Sequence, residues 1–152
     1  MNLFFSLLFL SLIIPLNSFG SPVGKGLSCY RASDKLSKNF EGFRGIYFES
    51  NKTVRVVSFK NKNNSLKVIS KQTPYKISKD QINFKIKFIW YGDISFEYFM
   101  LNRNNLDLTH NFKNYEHNLE CEIITNEFMS EMNSIKTEFQ NTFDDKLKSN
   151  NI

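Results

Sequence analysis

Two histidines, two cysteines and a single tryptophan among 152 residues leave little material for a conventional active site. His110 and His117 stand seven positions apart, and a zinc site would need a further ligand such as Asp107 or Glu116. They read as a surface pair on either side of a turn, and neither metal nor cofactor is expected. No CxxC sets up a redox couple, so Cys29 and Cys121 have no catalytic reading. Glycine-rich phosphate loops and a GxSxG elbow are both missing, which removes the commonest nucleotide-binding and serine-hydrolase arrangements. Glu120 and Glu122 share one strand face beside Cys121, yet exposed carboxylate neighbours prove no acid/base chemistry. The reading is therefore not an enzyme.

Clustered positive charge is missing too. The formal net charge is +5, but no five basic residues are consecutive, and nucleic acid is not an expected partner. Residues 125–152 carry five acids and three bases, so the excess lies upstream, where lysines alternate with apolar residues as in "NFKIKF". Such alternation marks a solvated strand face. "NKT" at Asn51 and "NNS" at Asn63 match glycosylation acceptors, as chance allows in an Asn-rich chain.

What is present begins with "MNLFFSLLFLSLIIPLNSFG", an apolar run followed by Ser18 and Gly20 ahead of Ser21. This is the layout of a secretory signal peptide over residues 1–20, although no Lys or Arg precedes the run. The run falls short of the roughly 18–20 apolar residues that span a bilayer, so no stable membrane span is expected after cleavage. A secreted or periplasmic location follows. There, Cys29 and Cys121 read as a disulfide, closing a loop long enough to stabilise the fold by roughly 4–5 kcal/mol in the chain-entropy model. The rest of the chain suffices for one domain with a core.

Short apolar runs recur at 27–31, 45–49, 53–60, 65–70, 75–78, 83–90, 94–101, 105–110 and 117–124, separated by breakers such as "NKNN", "QTP" and "YGD". Eight or nine close-spaced strands predict a mainly β fold: an antiparallel barrel or sandwich over residues 21–124. In the hairpin "NFKIKFIWYGDISFEYFML", Phe84, Ile86, Phe88 and Trp90 share one face and Lys85 and Lys87 the other. A three-residue turn, Tyr91 to Asp93, sets Trp90 opposite Ile94, Phe88 opposite Phe96, Ile86 opposite Tyr98 and Phe84 opposite Met100. It also sets Lys87 across from Glu97. A two-residue turn at Gly92 and Asp93 brings Glu97 against Phe88, burying a charge beside a ring, so the odd-length turn is favoured.

That register leaves Ile89, Phe99 and Leu101 facing outward and in need of cover. Over residues 125–148 an amphipathic α-helix is predicted, its stripe formed by Phe128, Met132, Ile135, Phe139, Phe143 and Leu147. Thr125 is the expected N-cap, with Glu127 in the first turn. The stripe packs on the β domain, the alternatives being dimerisation or membrane docking.

The segments "LSCY", "IW", "LNRNNLDL" and "CEI" resemble a loose group of small, exported, uncharacterised bacterial β proteins. Architecturally, a cysteine in the first strand joined to one in the last is similar to the MliC-type periplasmic lysozyme inhibitors, small β-barrels with an inhibitory SGxxY loop. That motif does not occur here, so no inhibitory residue carries over. The expected function is an exported, non-catalytic binding or envelope-interaction protein. One alternative is a lysozyme- or hydrolase-inhibitor-like protein acting on an envelope partner through Tyr75 in the loop "KQTPYK". The other is a lipocalin-like carrier holding a small apolar ligand among Phe84, Phe88, Trp90, Phe96 and Tyr98. A mostly filled interior is expected at this strand number.

Overall fold

The computed structural model describes residues 20–37, 39–90 and 92–149, with the side chain of Trp90 outside the described set. The leader expected over residues 1–20 lies outside the described residues except for Gly20. Eight antiparallel strands form a closed barrel in which sequence neighbours pair and the last returns to the first. They are β1 Gly26–Tyr30, β2 Arg44–Phe48, β3 Thr53–Lys62, β4 Ser65–Ile77, β5 Gln81–Trp90, β6 Asp93–Asn102, β7 Asp107–Phe112 and β8 Tyr115–Ile124. The β1–β2 connection carries a short helix α1, Ala32–Ser37, and a 3₁₀ turn, Phe40–Gly42. A long C-terminal helix α2, Phe128–Ser149, completes the chain. The expected barrel with its C-terminal helix is therefore what the chain forms, and α1 is an element that strand periodicity missed.

One end of the barrel is sealed by apolar residues. Leu27, Phe48, Ile82, Leu101, Leu108 and Leu119 are each exposed by 2% or less. Cys29 and Cys121 lie directly opposite each other on β1 and β8, with Cα atoms 4.0 Å apart, and form the disulfide. The bond thus joins the two strands whose pairing closes the barrel.

The β5–β6 register differs from expectation. Trp90 pairs with Asp93, Ile86 with Glu97 and Phe84 with Phe99, so two residues join the strands, and Gly92, the described one, has φ +89°. Glycine adopts that conformation without the steric cost a side chain would incur. Phe84 and Ile86 face inward as expected, but Phe99 and Leu101 are inside as well, while Tyr98 and Met100 are 52% and 37% exposed on the outer face. The slip exchanges every β6 side chain between faces. It is tolerated because Glu97, the inward charge that counted against such a register, meets Arg44 and His110 inside.

Helix α2 consequently covers a different wall. Phe128, Met132, Ile135 and Phe139 are buried against Phe43, Val57, Phe59 and Leu66, on the outer side of β2, β3 and β4. Close approach depends on glycines: a Cβ on Gly26 would lie 2.8 Å from Phe128 Cδ2, and one on Gly45 would overlap Met132 Sδ. The N-cap is Glu127, whose carboxylate accepts from the N–H groups of Met129 (3.0 Å) and Ser130 (2.6 Å), in place of the expected Thr125. Near the other end, Gln140 accepts from Leu66 N–H at 2.6 Å and donates to the Asn64 carbonyl at 3.0 Å, fastening the helix to the β3–β4 turn.

Candidate functional site: an open barrel mouth and a side cleft

Runs expected at 65–70 and 75–78 are one 13-residue strand, β4, that changes partner without breaking. From Ser65 to Pro74 it pairs with β3, whereas its pairing with β5 covers only Tyr75–Phe84, Lys76–Asn83 and Ile77–Ile82. Proline accounts for the change. Tyr75 N–H donates to the Lys52 carbonyl at 3.2 Å, toward β3. Backbone groups alternate sides along a strand, so the Pro74 position faces β5, and proline has no N–H to give.

Side chains replace the ladder beyond that point. Thr73 Oγ1 donates to the Lys85 carbonyl at 2.6 Å, and Lys71 Nζ donates to the Lys87 carbonyl at 3.0 Å. A short side chain bridges first and a long one two residues on, as required of strands that diverge toward the turn end of the barrel. The result is a cleft of about 810 Å³ in the barrel wall. On its inner side are Tyr75, Phe84, Ile86 and Phe99, and on its outer side are Phe96, Tyr98 and Met100. Lys85 Nζ stands 4.8 Å from the centre of the Phe96 ring, a cation–π contact.

The interior is packed at the sealed end, as expected from strand number, and opens at the adjacent end. A cavity of about 510 Å³ there is walled by Val56, Ile69, Ile86, Phe88 and Phe112, with Arg44 and Glu97 also lining it. Lys71 and Ile86 line both hollows, so mouth and cleft meet at these two side chains.

Beneath the mouth lies a polar floor. Glu97 Oε2 is 3.3 Å from His110 Nε2 and 3.8 Å from Arg44 Nη2. Arg44 Nη1 also donates to the carbonyls of Phe43 (2.7 Å) and Glu41 (3.0 Å). Burial alone would raise the Glu97 pKa and is its largest single influence, but the close approach of His110 and the charges of Arg44 and Lys71 together hold it below the ordinary glutamate value. Burial lowers the Arg44 pKa, partly countered by Glu97.

His110 is 6% exposed and faces His117 across the β7–β8 ladder, both on the inward face with Leu108 and Leu119; they are not the expected surface pair. Phe84, Phe99 and His110 are successive cross-strand neighbours, stacked at 5.0 and 4.7 Å between ring centres. Burial, with the charges of Arg31, His110 and Arg44, holds the His117 pKa below the ordinary histidine value. Asp107 and Glu116 are exposed, and no cluster of three metal-binding side chains occurs among the described residues.

The expected binding aromatics therefore separate. Phe84 belongs to the core and the inner side of the cleft, Phe88 is half-buried in the mouth, and Phe96 and Tyr98 lie on the outer side. Trp90's side chain is outside the described residues. Tyr75, expected in an exposed partner loop, is 7% exposed and bonds through its hydroxyl to the Ser50 carbonyl at 2.9 Å. Arg44, Lys71 and Glu97 were missed as site residues; the sequence signal for the cleft was Pro74, read only as a breaker. Among the described residues no helix is long and apolar enough to cross a membrane. No protein-family model, no curated protein and no solved structure matches this chain.

Proposed function

We propose that the chain is an exported, non-catalytic binding protein that takes a small, largely apolar ligand into the side cleft and barrel mouth. The observation that carries this reading is the interruption of β4–β5 pairing at Pro74, which leaves two hollows joined at Lys71 and Ile86. Their volumes, about 810 and 510 Å³, fall within the range of small-molecule sites, roughly 300–1,000 Å³. Export is supported by the leader-like sequence together with the Cys29–Cys121 bond, since disulfides persist in oxidising compartments. An inhibitor-like role gains no support, because it relied on an exposed Tyr75.

The test is titration of the oxidised protein with the neutral fluorescent probe N-phenyl-1-naphthylamine. Saturable one-to-one enhancement is expected. Tyr98→Ala, which trims an exposed ring from the outer side, should weaken binding roughly tenfold, the loss expected from removing about 1.5 kcal/mol of apolar burial. Absence of saturable binding, or a Tyr98→Ala variant indistinguishable from wild type, would overturn the proposal.

A further inference from the structure

We infer that the ligand is a monomeric anionic amphiphile with a single chain, its head taken by Lys71 and its chain laid along the cleft. The inference rests on the binding reading above and adds the chemistry of the ligand. Four lysines, Lys71, Lys76, Lys85 and Lys87, line the cleft, and among the described residues lining it there is no Asp or Glu. An apolar trough bordered by one sign of charge complements a ligand that is apolar along its body and negative at one end.

Lys71 is the cation that belongs to both hollows. It is half-buried, its ammonium lies 5.8 Å from the centre of the Phe88 ring, and its hydrogen-bond acceptor is the neutral Lys87 carbonyl. Among the described residues it makes no ion pair, and the carboxylate that feels its charge, Glu97, is engaged by Arg44 and His110. The carbonyl occupies only one of the ammonium's three donors and carries no net charge, so an incoming carboxylate adds a charge-to-charge attraction that the carbonyl does not offer Lys71. The same ammonium can turn from the Lys87 carbonyl toward the head group, which loosens the tie across the gap as the chain enters. Lys71 thus serves both as the tie across the open wall and as the head-group anchor.

The experiment displaces N-phenyl-1-naphthylamine with dodecanoate and with dodecanol at pH 8, for wild type, Lys71→Met, Lys71→Arg and the distant control Lys79→Met. Wild type and Lys79→Met should prefer dodecanoate at least tenfold; Lys71→Met should bring the two affinities within twofold, and Lys71→Arg should retain most of the preference. Thermal melts of each variant separate lost anchoring from lost fold, and retention by the arginine variant keeps the test informative should methionine disturb packing. If wild type binds both compounds equally, or Lys71→Met keeps the preference, the head-group assignment falls while the binding reading stands. If neither compound nor the probe binds, the binding reading falls as well. Association with phosphatidylglycerol vesicles without displacement by monomeric dodecanoate would also overturn the inference, in favour of a membrane surface.

Discussion

Replacing Glu97 by glutamine removes one charge from the floor of the mouth while keeping the shape and one acceptor oxygen. The side chains of Arg44 and Glu97 are only 14% and 25% exposed, so the loss leaves a largely desolvated guanidinium without its carboxylate. Breaking a buried pair from one side costs about 3–5 kcal/mol; the Phe43 and Glu41 carbonyls still accept from Arg44, placing Glu97→Gln at about 3 kcal/mol. That is a large share of the roughly 5–15 kcal/mol that holds a domain folded. The sign of the pH dependence follows from the depressed Glu97 pKa. Its stabilisation is complete above the unfolded value of about 4.3 and is lost as pH falls through the lower folded value. Glutamine does not titrate, so urea midpoints of wild type and variant should differ most at pH 7 and converge as pH drops below about 4.3. The double variant Arg44→Met/Glu97→Met removes both charges and should recover most of the loss, since an apolar replacement of a buried pair is often neutral. A difference under about 0.5 kcal/mol at pH 7, the scatter of an ordinary surface substitution, would refute an inward, paired Glu97. So would a difference that does not shrink in acid.

Two further predictions concern how the barrel is closed and covered. Cys29→Ala/Cys121→Ala should lower stability by about 4–5 kcal/mol, the chain-entropy value for a separation of 92 residues, measured by denaturant unfolding of the variant against the oxidised protein. A loss below about 1 kcal/mol would mean that the β1–β8 seam holds without the bond. Gly45→Ala should cost about 1–3 kcal/mol by forcing a methyl into the Met132 thioether, and Met132→Ala should cost about 2–5 kcal/mol by emptying the same space. The two together should be less damaging than the sum by at least 1 kcal/mol, because each makes room for the other; additivity within about 0.5 kcal/mol would show that α2 does not rest on Gly45.

What could be read from the sequence was mostly local. Alternation in "NFKIKF" placed Phe84 and Ile86 inside, and the four-three-four spacing from Phe128 to Phe139 placed those residues on the buried side of α2. Both periods are properties of a single element. Register is not, and there the inference failed for an identifiable reason: an inward Glu97 was weighed against the one ring across the hairpin. Its actual partners are His110 on the neighbouring strand β7 and Arg44 on β2, the latter distant in sequence and beside it only once the barrel is closed. A buried charge is prohibitive only when unpaired, and pairing across three strands leaves no local trace.

The same distinction explains the cleft. "QTP" was correctly seen as an interruption, but proline removes a donor on only one side of a strand. On the β3 side the ladder runs from Ser65 up to Pro74, and on the β5 side it covers only Tyr75 to Ile77. What looked like the end of a strand is therefore the end of one pairing, and the wall opens there without the strand being lost. Thr73 and Lys71 supply replacement donors from side chains, which can rotate away in a way that backbone N–H groups cannot. A barrel sealed throughout by backbone bonds would need to break a ladder to admit a ligand through its wall. This one needs to release a hydroxyl and an amine, and the gap lies directly beside the hydrophobic rings it would expose.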